Sequence, residues 1–181
     1  MSTSEQAAEQ TRAWVKNFII GLNLCPFAKV PFDKDQIRFE VAESDGFEEI
    51  YRELLSAFNR LFNADAKETE TSLFVVPAGL DDFEDYLDML DAANQAIEDS
   101  GLEGTIQLAS FHPNYCFDGV DYDDPANFSN RSPYPMFHLI REASLEQALK
   151  NYPNPEEIPE RNVALLRDMG EEKIREIIQA D

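Results

Sequence analysis

The residue types best suited to chemistry gather in one segment of this 181-residue chain, between positions 111 and 142. Both histidines, His112 and His138, lie there, together with Cys116, one of the two cysteines. An imidazole titrates near neutral pH and can act as a general acid or base, and a thiol beside it can be activated as a nucleophile. The segment therefore predicts a functional site.

The second cysteine, Cys25, follows the first predicted helix in a turn that Pro26 constrains. A free thiol has a pKa near about 8.5, so a nucleophilic Cys25 needs His112, His138 or an arginine close by. His112 is the preferred partner, because Pro113 holds its backbone extended. The alternative is that Cys25 is a buried small hydrophobe. The catalytic candidates are Cys25, His112 and His138.

Arginines and hydrogen-bonding side chains in the same region indicate a site for a small anion. A guanidinium fork matches a carboxylate or a phosphate, and hydroxyl and amide groups complete the hydrogen bonding. The predicted ligand-binding residues are Tyr115, Arg131, Ser132, Arg141, Arg161 and Asn162. The alternative is that each arginine pairs with an acidic neighbour, for instance Arg161 with Glu160.

A metal site is a weaker hypothesis, because paired ligand spacings such as CxxC and HxxxH are absent. The candidate ligands would be Cys25, His112, Cys116 and His138, or the histidines with Asp118, Asp121 or Asp123. We therefore assign no metal ligand and no cofactor from the sequence.

The net charge limits the possible partners. The chain carries 36 acidic and 15 basic residues, a formal charge of −21. This charge excludes nucleic acid, which is bound by clustered Lys and Arg, and disfavours an anionic membrane surface. Residues 36–100 hold 17 acidic and 4 basic residues, so most of the excess lies away from the histidine segment. Because salt screens separated charges beyond about 8 Å, a local site for an anion stays possible.

Hydrophobic periodicity predicts an α/β (or α+β) fold: a small, mainly parallel sheet of about four strands covered by helices. The predicted strands span 36–42, 72–76, 105–110 and 136–141, and the predicted helices span 7–22, 45–62 and 81–100, with C-terminal helices at 159–169 and 171–180. The helix at 81–100 turns its acidic residues to water. Length and composition predict a single domain that spans residues 1–181.

A long irregular loop precedes the last predicted strand. Its residues, FHPNYCFDGVDYDDPANFSNRSPYP, show no usable periodicity. Connections of this length are uncommon in compact domains and are often functional. Open α/β sheets also bind ligands beyond the carboxyl ends of their strands, where this loop begins. We expect an enzyme that acts on or binds a small anionic metabolite. A non-catalytic anion-binding or protein-interaction module and a metal-dependent enzyme are the alternatives.

The N-terminus lacks the basic start and apolar core of a signal peptide, and no apolar run approaches the length of a membrane span. Two cysteines are few for a secreted disulfide scaffold, so reduced thiols are expected. These features predict a soluble, cytoplasmic protein. They give no indication of its oligomeric state.

Several ordered motifs resemble those of an uncharacterised bacterial family, domain of unknown function 1415. The motifs are LNLCPFA, FHPNYCF, NRSPYP followed by HLIRE, and IPERN, and the resemblance runs over nearly the whole chain. In the family pattern, FHP-x-Y-x-F, Cys116 occupies a variable position, whereas the nine candidate site residues named above fall on motif positions. The resemblance implies no activity, substrate or cofactor.

Overall fold

A computed structural model describes residues 3–179 as helices packed on a four-stranded sheet. The strands are β1 (Ile37–Val41), β2 (Thr71–Val75), β3 (Ile106–Phe111) and β4 (Met136–Arg141). The α-helices in this part of the chain are α1 (Thr3–Trp14), α2 (Lys29–Asp33), α3 (Phe47–Asn63), α4 (Phe83–Asp99), α5 (Glu142–Lys150), α6 (Ile158–Met169) and α7 (Glu171–Ile178). A π-helical turn spans Val15–Ile20, and 3₁₀ turns span Pro125–Asn130 and Pro155–Glu157.

The strand order is β1-β2-β4-β3, and the mixed α/β class predicted from the sequence is confirmed. The prediction of a mainly parallel sheet is met only by the β1–β2 pair, because β4 pairs antiparallel with both β2 and β3. The three strands that alternate with helices do point the same way. The last strand enters between two of them and reverses the pairing.

The long loop explains why β4 can take that place. Residues 112–135 leave the end of β3 and return to the same edge of the sheet, so β4 must run back antiparallel. Met136, Phe137 and Leu139 are fully buried, which fits a central strand covered on both faces. The loop therefore lies at the carboxyl edge of β2 and β3.

Two apolar cores lie on opposite faces of the sheet. On one face, α3 and α4 pack against Phe74 and Phe137. On the other face, α1, the π-helical turn, α6 and α7 pack against Leu73 and Val75. The predicted apolar stripe of α4 is buried through Tyr86, while its acidic side chains point outward.

The first predicted helix is shorter as an α-helix than its pattern suggested. α1 ends at Trp14, and the chain continues into the π-helical turn. A β-carbon on Gly21 would lie 2.0 Å from the Asn17 carbonyl oxygen, so this turn requires glycine. The sequence reading also missed α2, α5 and both 3₁₀ turns, and the end of the last predicted helix, at residue 180, lies outside the described residues.

Within residues 3–179, no helix combines the length and the apolar character that crossing a bilayer requires.

Candidate functional site

Arg131 fixes the long loop from inside. Its side chain is buried, with 7% of the residue exposed. Its Nε donates to the Tyr115 carbonyl (2.9 Å), and its Nη2 donates to the Tyr122 carbonyl (2.6 Å). The guanidinium carbon also lies 4.4 Å from the Tyr122 ring centre and 5.1 Å from that of Phe128. Arg131 therefore orders the loop and does not offer its charge to solvent.

Other polar side chains also bind the loop to itself. The buried Asn127 amide accepts from the Phe117 N–H (3.0 Å) and donates to the carbonyls of Asp121 and Tyr122. The Ser132 hydroxyl donates to the Tyr134 carbonyl. These bonds satisfy backbone groups that a loop without regular structure would leave unpaired. These hydrogen bonds consequently hold the loop in one conformation.

Tyr115 belongs to the same scaffold. Its hydroxyl lies 3.2 Å from the Ser110 hydroxyl, and its ring packs against the rings of Phe83 and Phe117. The side chain thus ties the loop to the start of α4 and to the end of β3.

The C-terminal helices attach to this loop through Asp124. Arg167 of α6 donates to both Asp124 carboxylate oxygens, with a closest distance of 2.8 Å. Hydrogen bonds from Arg167 and from the Ala126 N–H hold the pKa of Asp124 below its usual range. The guanidinium of Arg175, in α7, lies over the Phe128 ring, 5.2 Å from the ring centre. The loop is therefore fixed from both sides.

His112 is fully buried, and both ring nitrogens bind the backbone. The Asn114 N–H donates to Nδ1 (3.0 Å), so the proton lies on Nε2, which donates to the Leu80 carbonyl (2.9 Å). Burial lowers the pKa of His112. The ring packs against Phe83 and Tyr86 of α4. The neutral imidazole forms a hydrogen bond at each ring nitrogen and so links the loop to the β2–α4 connection. Neither nitrogen is free to bind a substrate.

His138 lies on the opposite face of the sheet, paired across the strands with Leu73. The Thr71 hydroxyl donates its only proton to the Leu139 carbonyl (2.6 Å). His138 Nε2 lies 2.7 Å from the same hydroxyl oxygen, so Nε2 is the donor of that bond. This bond leaves Nδ1 unprotonated. Burial lowers the pKa of His138 to about 4. The imidazole is therefore neutral near pH 7.

Cys25 lies on the same face as His138, half-buried against the second core. The backbone N–H groups of Phe27 and Ala28 favour the thiolate, but burial dominates and raises the pKa of Cys25. No histidine or arginine is among the causes of this shift. The thiol is therefore mainly protonated at neutral pH.

The start of α6 holds the turn that carries Cys25. The Asn162 side chain donates to the Leu24 carbonyl (2.7 Å), and Arg161 Nη2 donates to the Asn23 carbonyl. Arg161 Nη1 also donates to the Tyr152 hydroxyl (3.3 Å). The IPERN and LNLCPFA motifs thus meet in space, with an exposed guanidinium beside the thiol-bearing turn.

The arginines divide into two groups by partner. The six outside the motif segments each pair with a carboxylate: Arg12, Arg38, Arg52, Arg60, Arg167 and Arg175. Within residues 3–179, none of the three motif arginines forms an ion pair. Arg141 donates to the carbonyls of Leu61 and Ala64 at the end of α3 and of Thr69 shortly before β2. These partners lie at the opposite end of β4 from the long loop. The motif arginines therefore lie in three separate places.

A cleft of about 380 Å³ opens beside the long loop. It is lined by Asp81, Asp82, Phe83, Glu84, Asn114, Cys116 and Tyr122. Asp82 caps α4 by accepting from the Glu84 N–H (2.8 Å), and the Cys116 thiol points to the Val120 carbonyl (3.2 Å). Its three carboxylates repel anions.

The structure gathers only part of the predicted site. Arg161 and Asn162, at the start of α6, bind the backbone of the turn that carries Cys25. His138 shares their face of the sheet, whereas His112 faces α4. The two cysteines are free thiols, and within residues 3–179 no group of three or more His, Cys, Asp or Glu side chains is arranged to hold a metal ion.

Two further side chains were not predicted from the sequence. Tyr152 accepts from Arg161 and packs its ring on Phe27, but a lone tyrosine between helices carries no signal in the sequence. Trp14 has a buried indole N–H without a hydrogen-bond partner in the described part of the chain. The sequence could have drawn attention to it only as the chain's single tryptophan.

Comparison with known proteins gives the family but no activity. Neither the curated proteins nor the solved structures contain a match to this chain. One family model, described as a protein of unknown function (DUF1415), matches residues 6–176, which confirms the resemblance seen in the motifs. The chain therefore belongs to the DUF1415 family.

Proposed function

We propose that this protein binds a small anion, a carboxylate or a phosphate, at the turn around Cys25. The observation that supports the proposal is the state of Arg161. It is exposed, it forms no ion pair within residues 3–179, and it donates to the Asn23 carbonyl in the turn that carries Cys25. In a chain with 36 acidic residues, an unpaired arginine held in place is a suitable partner for an anion.

The hydrogen bonds of Arg161 define its role. Its Nη atoms donate to Asn23, Tyr152 and Asn162, which fixes the guanidinium plane. Its Nε–H has no partner among residues 3–179 and remains available to a ligand. A pre-oriented guanidinium loses less side-chain entropy on binding than a free one. The site is therefore prepared for an oxyanion before the ligand arrives.

The protonated thiol favours binding over covalent catalysis. A nucleophilic cysteine requires a lowered pKa, whereas burial raises the pKa of Cys25. In this proposal Cys25 contributes a neutral S–H beside the bound anion. An enzymatic role would depend on a ligand or a partner that lowers this pKa.

The overall charge of −21 is compatible with the proposal. Charges more than about 8 Å apart are largely screened at physiological salt, and the contact with Arg161 is local. Because Arg161 is exposed, we expect weak affinity, with a dissociation constant of about 1 mM, or about −4 kcal/mol. We also propose a cytoplasmic location, where two free cysteines stay reduced.

Thermal unfolding with inorganic phosphate and succinate, against sodium chloride at equal ionic strength, tests the proposal. At ten times the dissociation constant, phosphate should stabilise the protein by about 1.4 kcal/mol and raise Tm by roughly 3–5 °C. Arg161→Gln should abolish the rise.

Arg52→Gln is the matched control, because Arg52 is an exposed arginine that pairs with Glu48 on α3. It should keep the full response. No rise in the unaltered protein, or an equal rise in Arg161→Gln, would contradict the proposal.

A further inference from the structure

β3 is an edge strand without a charged side chain. The sheet order β1-β2-β4-β3 leaves one side of β3 without a neighbouring strand. Its sequence, IQLASF, contains neither a charged residue nor a proline, in a chain in which 28% of the residues are charged. Its register with β4 is unbroken, so it has no bulge. Charges, prolines and bulges are the usual protections of an edge strand against pairing with another chain, and β3 has none of them.

The opposite edge of the sheet is protected by charge. β1 carries Arg38 and Glu40, and Glu40 pairs with Arg60 of α3. The guanidinium carbon of Arg12 also lies 4.5 Å from the centre of the Phe39 ring in the same strand. A second chain along β1 would meet these charged groups. The β3 edge is therefore the better surface for strand pairing.

A hydrogen bond at the start of β3 shows which of its backbone groups point away from β4. The Glu142 N–H donates to the carbonyl of Thr105, the residue directly opposite it in the register (3.0 Å). In an antiparallel pair, residues alternate between facing the neighbouring strand and facing away from it. The odd-numbered residues of β3 consequently bond β4. Ile106, Leu108 and Ser110 turn their N–H and C=O groups to the open side.

Only the two ends of this open edge are bonded within the chain. The Ile106 N–H donates to the Leu102 carbonyl (3.1 Å), and the Ser110 carbonyl accepts from the Asn130 side chain (2.9 Å). The Ile106 C=O, both backbone groups of Leu108 and the Ser110 N–H have no partner within residues 3–179. Because the residues from 107 onwards in β3 are only half-buried, another chain can reach these groups.

We infer that two copies of this chain pair through their β3 edges, antiparallel about a two-fold axis at Leu108. The Leu108 N–H of each copy donates to the Leu108 C=O of the other, and each Ser110 N–H donates to the Ile106 C=O of the other. The groups that would complete this ladder are the Ile106 N–H and the Ser110 C=O, and each already has a partner in its own chain. The open groups are thus self-complementary, as a two-fold interface requires.

Side chains and charge set the strength of this contact. With the axis at Leu108, Gln107 lies opposite Ala109 of the second copy, so no like charges meet across the new pair. The net charge of −21 on each copy opposes association at long range. Pairing of one short strand is also small beside the roughly 1,200–2,000 Å² of a standard interface. We therefore expect a weak dimer, with a dissociation constant of roughly 0.1 mM. It uses no residue of the proposed anion site.

Sedimentation velocity of the full chain, at protein concentrations on both sides of the expected dissociation constant, tests the inference. The fraction of dimer should rise with concentration. Raising sodium chloride from about 50 to about 500 mM should tighten the dimer about two- to tenfold, because salt screens the repulsion. In ¹⁵N-labelled protein, the backbone amides of Leu108 and Ser110 should shift with protein concentration, whereas that of Phe39, on the other edge, should not.

Two substitutions at one position isolate the backbone contact. Leu108→Pro removes the open N–H, which the ladder with β4 does not use. Leu108→Ala also loses the leucine side chain but keeps the N–H, so it is the matched control. Leu108→Pro should weaken the dimer at least about tenfold, and Leu108→Ala should stay within about threefold of the unaltered protein. The amide shifts are measured on the unaltered protein, so they apply even where Leu108→Pro does not fold.

Three results would overturn the inference. The first is a monomer at every concentration and salt. The second is a dimer that Leu108→Pro retains, or shifts centred on Phe39, since either places the contact on another surface. The third is a monomer whose Leu108 amide responds instead to an added extended peptide, acetyl-Val-Thr-Val-Thr-Val-amide, because the edge then takes a different chain.

Discussion

Replacing Arg131 with lysine tests whether a buried guanidinium holds the long loop. The change keeps the positive charge and shortens the reach of the side chain. A single ammonium group cannot serve the carbonyls of Tyr115 and Tyr122 together in the fork geometry of a guanidinium. It also loses the planar stacking on Tyr122 and Phe128.

The expected cost follows from these contacts. A hydrogen bond from a charged donor contributes about 1.5–3 kcal/mol, and a cation–π contact about 0.5–2 kcal/mol. A lysine would keep part of the hydrogen bonding and part of the cation–π attraction. Arg131→Lys should therefore lower the free energy of unfolding by about 2–4 kcal/mol. That is a large fraction of the roughly 5–15 kcal/mol that stabilises a typical domain.

Urea unfolding followed by circular dichroism measures this loss, and limited proteolysis reports whether residues 112–135 open before the rest. Arg52→Lys is the control. Because Arg52 forms only an exposed ion pair with Glu48, Arg52→Lys should change the free energy of unfolding by no more than about 0.5 kcal/mol. If Arg131→Lys also stays within about 0.5 kcal/mol of the unaltered protein and its loop is cut no faster, the anchoring role of Arg131 is wrong.

Three further predictions concern the cysteine turn and the second histidine. In a Cys116→Ser background, Cys25 should react with iodoacetamide more slowly than a free thiol at pH 7–8, because burial raises its pKa; an equal or faster rate would contradict this. Asn162→Ala removes the bond to the Leu24 carbonyl, so it should speed that alkylation and lower the free energy of unfolding by about 1 kcal/mol; an unchanged rate would show that the bond does not restrain the turn. The pKa of His138 is about 4 in the folded protein against an ordinary 6.5. As the pH falls from 6.5 to 4, His138 is protonated in the unfolded chain but not in the folded protein, which lowers the free energy of unfolding by up to about 3 kcal/mol. Above pH 6.5 the effect is absent. Urea unfolding across this range should show a steeper loss than in His138→Gln, and identical slopes would refute the assignment.

The elements with strong local periodicity were predictable from the sequence. The alternation around Phe39 and the helical stripe through Leu54 and Tyr86 reappear as β1, α3 and α4, with shifts of one or two residues at their ends. Local patterns suffice there because each element buries one face. The strand β4 has the predicted bounds, yet its direction depends on how residues 112–135 return, which local periodicity does not encode.

The candidate site was predictable by residue type but not by placement. Arg131 and Arg161 look alike in the sequence, since both are motif arginines. The fold buries the first among carbonyls and rings and leaves the second exposed. His112 was expected to orient Cys25, whereas its own backbone bonds and its α4 face remove it from that role. Side-chain partners across the sheet decide these outcomes, and sequence spacing carries no record of them.

The measurement that tests the central proposal most directly is a ¹⁵N NMR titration with inorganic phosphate at constant ionic strength. The predicted result is a saturable set of shifts at the Arg161 Nε–H and at the backbone amides of Phe27 and Ala28, absent in Arg161→Gln. Shifts that centre on Arg131 or Arg141, or no saturable shift in any part of the chain, would contradict it.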